Sequence, residues 1–108
     1  MKGFGAGGLQ KLMQQANQMQ IKMKKVQDEL SAREFEASSG GDAVKVCITG
    51  NMKIKTILIK PDVMSSGDVD MLQDLVLTAT NEALRTARET TEKEMAKVTG
   101  GASMPGLF

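Results

Sequence analysis

The side chains of this chain best suited to chemistry are amines and amides along one flank of an N-terminal helix. Two neighbouring positions of a heptad repeat are polar and mostly basic there: Lys11, Gln15, Gln18, Lys22, Lys25 and Glu29. Ammonium and amide donors in such a row suit phosphate oxygens. The row therefore predicts phosphate contacts through Lys11, Lys22 and Lys25, and solubilising decoration of a coiled-coil-like helix stays open as the alternative.

A second group of basic residues lies further along the chain. It comprises Lys45, Lys53 and Lys55 on a predicted hairpin, and Arg85 and Arg88 on a second long helix. Their neighbours Glu82 and Glu89 lie three and four residues from Arg85, so neutralisation of the arginines stays open as the alternative. Residues 1–60 carry ten basic and five acidic groups, whereas residues 61–108 carry four and eight. This asymmetry favours a surface that faces a polyanion.

Catalytic and metal chemistry find little support in the composition. The chain has no histidine, tryptophan or tyrosine, and its one cysteine, Cys47, lies mid-strand with no histidine to lower its pKa. Residues 3–8 match G-x-G-x-x-G, but no chain precedes them to form the strand that a dinucleotide site needs. We expect no enzymatic activity, no metal and no cofactor.

The helix itself carries a continuous apolar seam. Its members alternate in steps of four and three: Leu12, Ala16, Met19, Met23, Val26 and Leu30. Such spacing is typical of a helix packed along its length on a partner. A helix over residues 8–31 would span about 35 Å, beyond the ~13 Å radius of gyration of a compact domain. The seam therefore predicts a projecting helix and a homodimer that covers it.

The remaining sequence predicts a small sheet and a second long helix. Short strands are expected at residues 34–38, 43–49 and 52–60, with turns at 38–42 and 50–51. The third strand is apolar on both faces, which indicates a central or interface position. One helical turn follows Pro61, and Asp68 is the expected N-cap of a helix ending at Gly100. The predicted class is α+β, in the order α-β-β-β-α.

We expect one domain over residues 9–99, a flexible arm over 1–8 and a flexible tail over 100–108. No apolar run approaches the ~18 residues of a membrane span, and a single cysteine favours a reducing compartment. The cytoplasm is the expected location, without membrane attachment. If the chain binds nucleic acid, the lack of aromatic stacking side chains favours contacts with a duplex backbone.

The first helix, residues 12–30, resembles that of the YbaB/EbfC family of bacterial nucleoid-associated proteins. Gly50, the strand end Ile57-x-Ile59-x-Pro61, and the pattern from Leu75 to Met95 are similar to the family as well. The likeness runs through nearly the whole chain. One difference is Lys60, where the family often has aspartate before the proline.

The resemblance implies a homodimer in which the sheets pair and the long helices project like tweezers around double-stranded DNA. It implies a non-enzymatic role in the nucleoid, in nucleoid organisation and gene regulation. It assigns no fixed residues to DNA contact, so the residue predictions rest on the basic groups above. A protein-interaction adaptor linked to recombination or repair proteins stays open as the alternative.

Overall fold

The computed structural model describes residues 6–100. It contains α1 (Ala6–Ala32), β1 (Glu34–Ser39), β2 (Val44–Thr49), β3 (Ile54–Ile59), α2 (Pro61–Ser65) and α3 (Val69–Val98). This order confirms the predicted α-β-β-β-α architecture. The strands form one antiparallel sheet in the order β1-β2-β3. The molecule is elongated, at 77 × 24 × 16 Å, because both long helices extend away from the sheet.

The ends of the elements follow from local chemistry. Asp68 caps α3 as predicted, since its carboxylate accepts a 3.0 Å hydrogen bond from the backbone N–H of Met71. Helix α1 begins at Ala6, so residues 6–8 are helical rather than part of an arm. Each glycine destabilises a helix by only about 1 kcal/mol relative to alanine. Because extending an existing helix is easier than starting one, the long helix that follows can include Gly7 and Gly8. The rest of the predicted arm, 1–5, and the tail residues 101–108 lie outside the described residues.

The core lies between the sheet and α3. Phe35, Val44, Val46 and Ile48 fill one face of the sheet, as the alternation of β1 and β2 predicted. Three alanines of α3 at four-residue spacing are fully buried against them: Ala79, Ala83 and Ala87. Their small side chains let the helix backbone approach the sheet closely. A 2.6 Å hydrogen bond from the Ser39 hydroxyl to the carbonyl of Leu75 also joins the two layers.

Strand β3 differs from its predicted form in two ways. It begins at Ile54, because residues 50–53 form the hairpin turn with Met52 at a φ of 64°. A bulge opposite Cys47 and Ile48 then shifts the register by one residue. As a result Ile54 joins Ile57 and Ile59 on the core face, rather than sharing the outer face with Leu58.

Strand β3 is also an edge strand, which excludes a central position within this three-stranded sheet and leaves open the interface position that its composition also predicted. Helix α3 packs on β1 and β2 and leaves β3 uncovered in the described part of the chain. Its core-face residues Ile54, Ile57 and Ile59 are consequently 51%, 41% and 36% exposed.

Candidate nucleic-acid interface

The polar flank of α1 is presented to solvent along its whole length. We use the term α1 flank for Lys11, Gln15, Gln18, Lys22 and Lys25, all of which are exposed. None of its three lysines forms an ion pair within residues 6–100. Gln15, Gln18 and Lys22 also line a small cleft of about 170 Å³, shared with Met19 and with Val98 at the end of α3. The flank thus offers amines and amides beside a concave surface.

The two long helices differ in charge. Helix α1 carries four basic and two acidic residues, a net charge of +2, whereas α3 carries four basic and six acidic, a net charge of −2. Lys24 is paired with Asp28 at 3.8 Å on a different side of α1 from the flank. Of the two helices, α1 is therefore the better polyanion-facing element.

Two hairpin lysines are engaged in ion pairs across the sheet. Lys45 lies 3.6 Å from Glu36, and Lys55 lies 3.0 Å from Glu34. The hydrogen bond from Lys55 lowers the pKa of the Glu34 carboxyl, and the same bond raises the pKa of Lys55. These pairs weaken the positive field predicted for the hairpin. Lys53, in the exposed turn, has no ion pair among the described residues.

Cys47 lies on the same sheet face as these pairs. Its thiol is buried and donates a 3.4 Å hydrogen bond to the Glu34 carboxylate. Burial, followed by the hydrogen bond to Glu34, raises the pKa of the thiol. A raised pKa keeps the sulfur protonated at neutral pH, so this cysteine is a packing residue and a poor nucleophile.

The arginines of α3 separate into one neutralised and one available residue. Arg85 forms ion pairs with both Glu82 and Glu89, the second at 2.9 Å. This is the neutralisation that the spacing offered. Arg88 is exposed and has no ion pair within residues 6–100. The eight predicted contact residues thus lie on α1, on the β2–β3 hairpin and on α3, and Lys45, Lys55 and Arg85 already have anionic partners.

The predicted seam of α1 is covered in part within the chain itself. Leu30 is buried, Met23 and Val26 are half-buried, and α1 packs on α3 and, less extensively, on β2. Leu12, Ala16 and Met19 are exposed; Leu12 is 57% exposed. At the end of the seam nearest the sheet, part of the cover therefore comes from within the chain, and the homodimer stays a prediction.

Sequence reasoning missed an apolar groove between β3 and the first half of α3. We call it the β3 groove; its volume is about 470 Å³ and its lining is Ile59, Leu72, Gln73, Val76, Leu77 and Thr80. Leu77 is 60% exposed on its rim, and Ile57 neighbours it on the core face of β3. The apolar character of β3 was the available signal, but the bulge and the position of α3 could not be read from it.

Within residues 6–100, no group of three or more His, Cys, Asp or Glu side chains is arranged to hold a metal ion. No helix in this same stretch is long and apolar enough to cross a membrane.

Comparisons with known proteins place these features in a family. The model of the YbaB/EbfC DNA-binding family matches residues 5–102. A nucleoid-associated protein of Clostridium novyi is 53% identical over 98% of this chain and 94% of its own length. One from Acetivibrio thermocellus is 52% identical over the same shares. The fold is also similar to that of an uncharacterized protein from Helicobacter pylori, with a TM-score of 0.70, 16% identity, and coverage of 82% of this chain and 92% of that one.

The match to the family model extends over nearly the whole chain, and the curated relatives are matched over nearly their full lengths. The family is named for DNA binding and not for a catalytic activity. This chain is a member of the YbaB/EbfC DNA-binding family.

Proposed function

We propose that this chain binds double-stranded DNA as a homodimer in the bacterial nucleoid, where it contributes to nucleoid organisation and gene regulation. The observation that carries the proposal is the α1 flank: an exposed row of lysines and glutamines on the more basic of two projecting helices. Membership of a DNA-binding family supports it, as do relatives named nucleoid-associated proteins.

The β3 edge is the surface we assign to dimerisation. Its backbone groups have no neighbouring strand within the described residues, and an unpaired edge is a template for another strand. The exposed isoleucines of β3 and the β3 groove form an adjoining apolar surface. Pairing of two β3 strands would cover both surfaces at once and give a six-stranded sheet from which four long helices project.

Contacts with DNA would then come mainly from lysine amines and phosphates. The chain has no tryptophan or tyrosine, and Phe35 is buried in the core, so base stacking on aromatic side chains is not supported in the described part. Lysine–phosphate contacts release counterions from the duplex, which makes affinity fall steeply with salt and depend little on sequence. We therefore propose backbone binding with weak sequence preference.

A gel-shift titration at two salt concentrations tests the proposal. Duplexes of unrelated sequence should bind with similar affinity, and log affinity should fall linearly with log salt at a slope of about −0.9 for each phosphate contacted. Affinity that is absent at low salt, or insensitive to salt, would contradict DNA binding. In that event an adaptor that grips recombination or repair proteins becomes the better explanation of the projecting helices.

A further inference from the structure

Helix α1 continues past the end of α3 and carries its apolar seam with it. Val98, the last residue of α3, lines a cleft with Gln15, Gln18, Met19 and Lys22, so α3 ends beside this part of α1 and the α1 residues before Gln15 extend beyond it. Apolar side chains of α1 from Leu9 to Met19 form what we call the tip face: Leu9, Leu12, Met13, Ala16 and Met19. Leu9, Leu12 and Met13 are 59%, 57% and 64% exposed.

We propose that residues 101–108 of the same chain dock on the tip face. The chain leaves α3 at Gly100, whose φ of 66° and hydrogen bond to the Lys97 carbonyl end the helix just after Val98. The next residues thus begin beside Met19, the tip-face residue that shares a cleft with Val98. The proposed contact extends from Met19 along the tip face toward Leu9.

Residues 101–108 are long enough to extend along the whole tip face. Eight extended residues reach about 26 Å, whereas the helix rises only about 15 Å from Met19 to Leu9. The side chains at 104, 107 and 108 can therefore be distributed along the whole tip face. Pro105 and the glycines at 101 and 106 disfavour a helical continuation of α3, so an extended strap is the suitable form.

The composition of the segment suits the surface. Residues 101–108 contain no charged side chain and include three large apolar ones, Met104, Leu107 and Phe108. The tip face holds only apolar side chains, with Lys11 on its border as the one charged residue between Ala6 and Ile21. A short tether also gives the segment an effective concentration in the mM range, which favours it over a second copy at micromolar concentration.

A single tryptophan can test the contact, because the chain has no tryptophan or tyrosine of its own. In the full chain with Phe108→Trp, we expect blue-shifted emission and several-fold weaker quenching by acrylamide than for free tryptophan. Adding Leu12→Gln on the tip face should shift emission to the red and restore quenching. Adding Gln14→Ala, on the opposite side of the helix, should change neither. A solvent-like spectrum for Phe108→Trp alone would overturn the proposal.

Disulfide trapping distinguishes docking of residues 101–108 of the same chain from docking of a second copy on the tip face. In a Cys47→Ala background, Leu12→Cys with Phe108→Cys should oxidise to a species of monomer mass on a non-reducing denaturing gel, whereas Gln14→Cys with Phe108→Cys should not. A product of dimer mass, from this pair or from Leu12→Cys alone, would overturn docking within one chain and assign the tip face to a second copy. The tryptophan experiment keeps the native Cys47, so it decides the contact even if the background variant folds poorly.

Discussion

Gly50 lies directly against the backbone of Leu30, where the β2–β3 turn meets the end of α1. Its N–H donates a 2.9 Å hydrogen bond to the carbonyl of Arg33, and a methyl group at this position would overlap the Leu30 carbonyl oxygen and lie 2.6 Å from its carbonyl carbon. Leu30 itself is buried. This contact sets the direction in which α1 leaves the sheet, so it positions the α1 flank.

We therefore expect Gly50→Ala to destabilise the fold by about 3 kcal/mol or more, since the clash is with backbone that cannot rotate away. Gly7→Ala is the matched control: a Cβ there meets no atom within 4 Å, and alanine should strengthen the helix by up to ~1 kcal/mol. Chemical denaturation followed by circular dichroism measures both. Equal stability of Gly50→Ala and the parent chain would contradict the contact.

The proposed dimer is tested on β3. Ile57→Lys places an ammonium group on the exposed core face beside the β3 groove, where a partner would have to bury it, so we expect a shift to monomer in sedimentation velocity. Thr56→Lys adds the same charge one residue away on the outer face and should leave the oligomeric state unchanged. A dimer that persists in Ile57→Lys as it does in Thr56→Lys would exclude the core face of β3 from the interface.

The α1 flank is tested by replacing Lys11, Lys22 and Lys25 with alanine together. Affinity for duplexes of any sequence should fall to a similar extent, and the salt slope should flatten by roughly 0.9 for each phosphate that a lysine no longer neutralises. Folding should change little, because all three side chains are exposed. Lys24→Ala is the control, since Lys24 already pairs with Asp28. An unaltered salt slope in the triple variant would mean that the α1 flank does not contact phosphates, and Lys53 and Arg88 would become the candidate contact residues.

Arg85 and Arg88 lie on the same helix but differ in whether they are available for contact with DNA. Arg85 is held by Glu82 and Glu89, whereas Arg88 has no ion pair in the described part of the chain. Arg85→Ala should lower DNA affinity only slightly, because it removes no available cation; the loss comes from the two carboxylates that are left without a counter-charge. Arg88→Ala should weaken binding if α3 contributes at all. Fluorescence anisotropy at fixed salt compares the two, and a larger loss for Arg85→Ala would contradict the neutralisation.

The Glu34–Lys55 pair should be visible in the pH dependence of stability. The pKa of Glu34 lies below its ordinary value of 4.5 in the folded chain, mainly because of the hydrogen bond from Lys55. A lowered carboxyl pKa stabilises the fold above the unfolded value, and this stability is lost as the pH falls through the folded pKa. The parent chain should therefore exceed Glu34→Gln in free energy of unfolding at about pH 7 and lose that advantage as the pH falls below the ordinary value of 4.5 and through the lowered pKa of the folded chain. A constant difference across this range would contradict the pair.

The sequence by itself determined the elements and their order. The seven-residue periodicity from Leu12 to Leu30 predicts α1, the alternation of Val44, Val46 and Ile48 predicts a half-buried strand, and Asp68 marks the start of α3. These features depend on neighbours within one or two turns of the same element, so local spacing and capping suffice to predict them. The family likeness rests on the same patterns and extended the prediction to the fold.

The tertiary structure decided which surfaces are covered and which charges are available. The bulge opposite Cys47 turns Ile54 to the core face, and α3 covers β1 and β2 but not β3. Leu30 is buried and Val26 half-buried within the chain, where α1 packs on α3 and β2. Glu34 and Glu36 form ion pairs with Lys55 and Lys45 from other strands of the sheet. Each outcome joins residues distant in sequence and depends on sheet register and helix position, which no local pattern encodes.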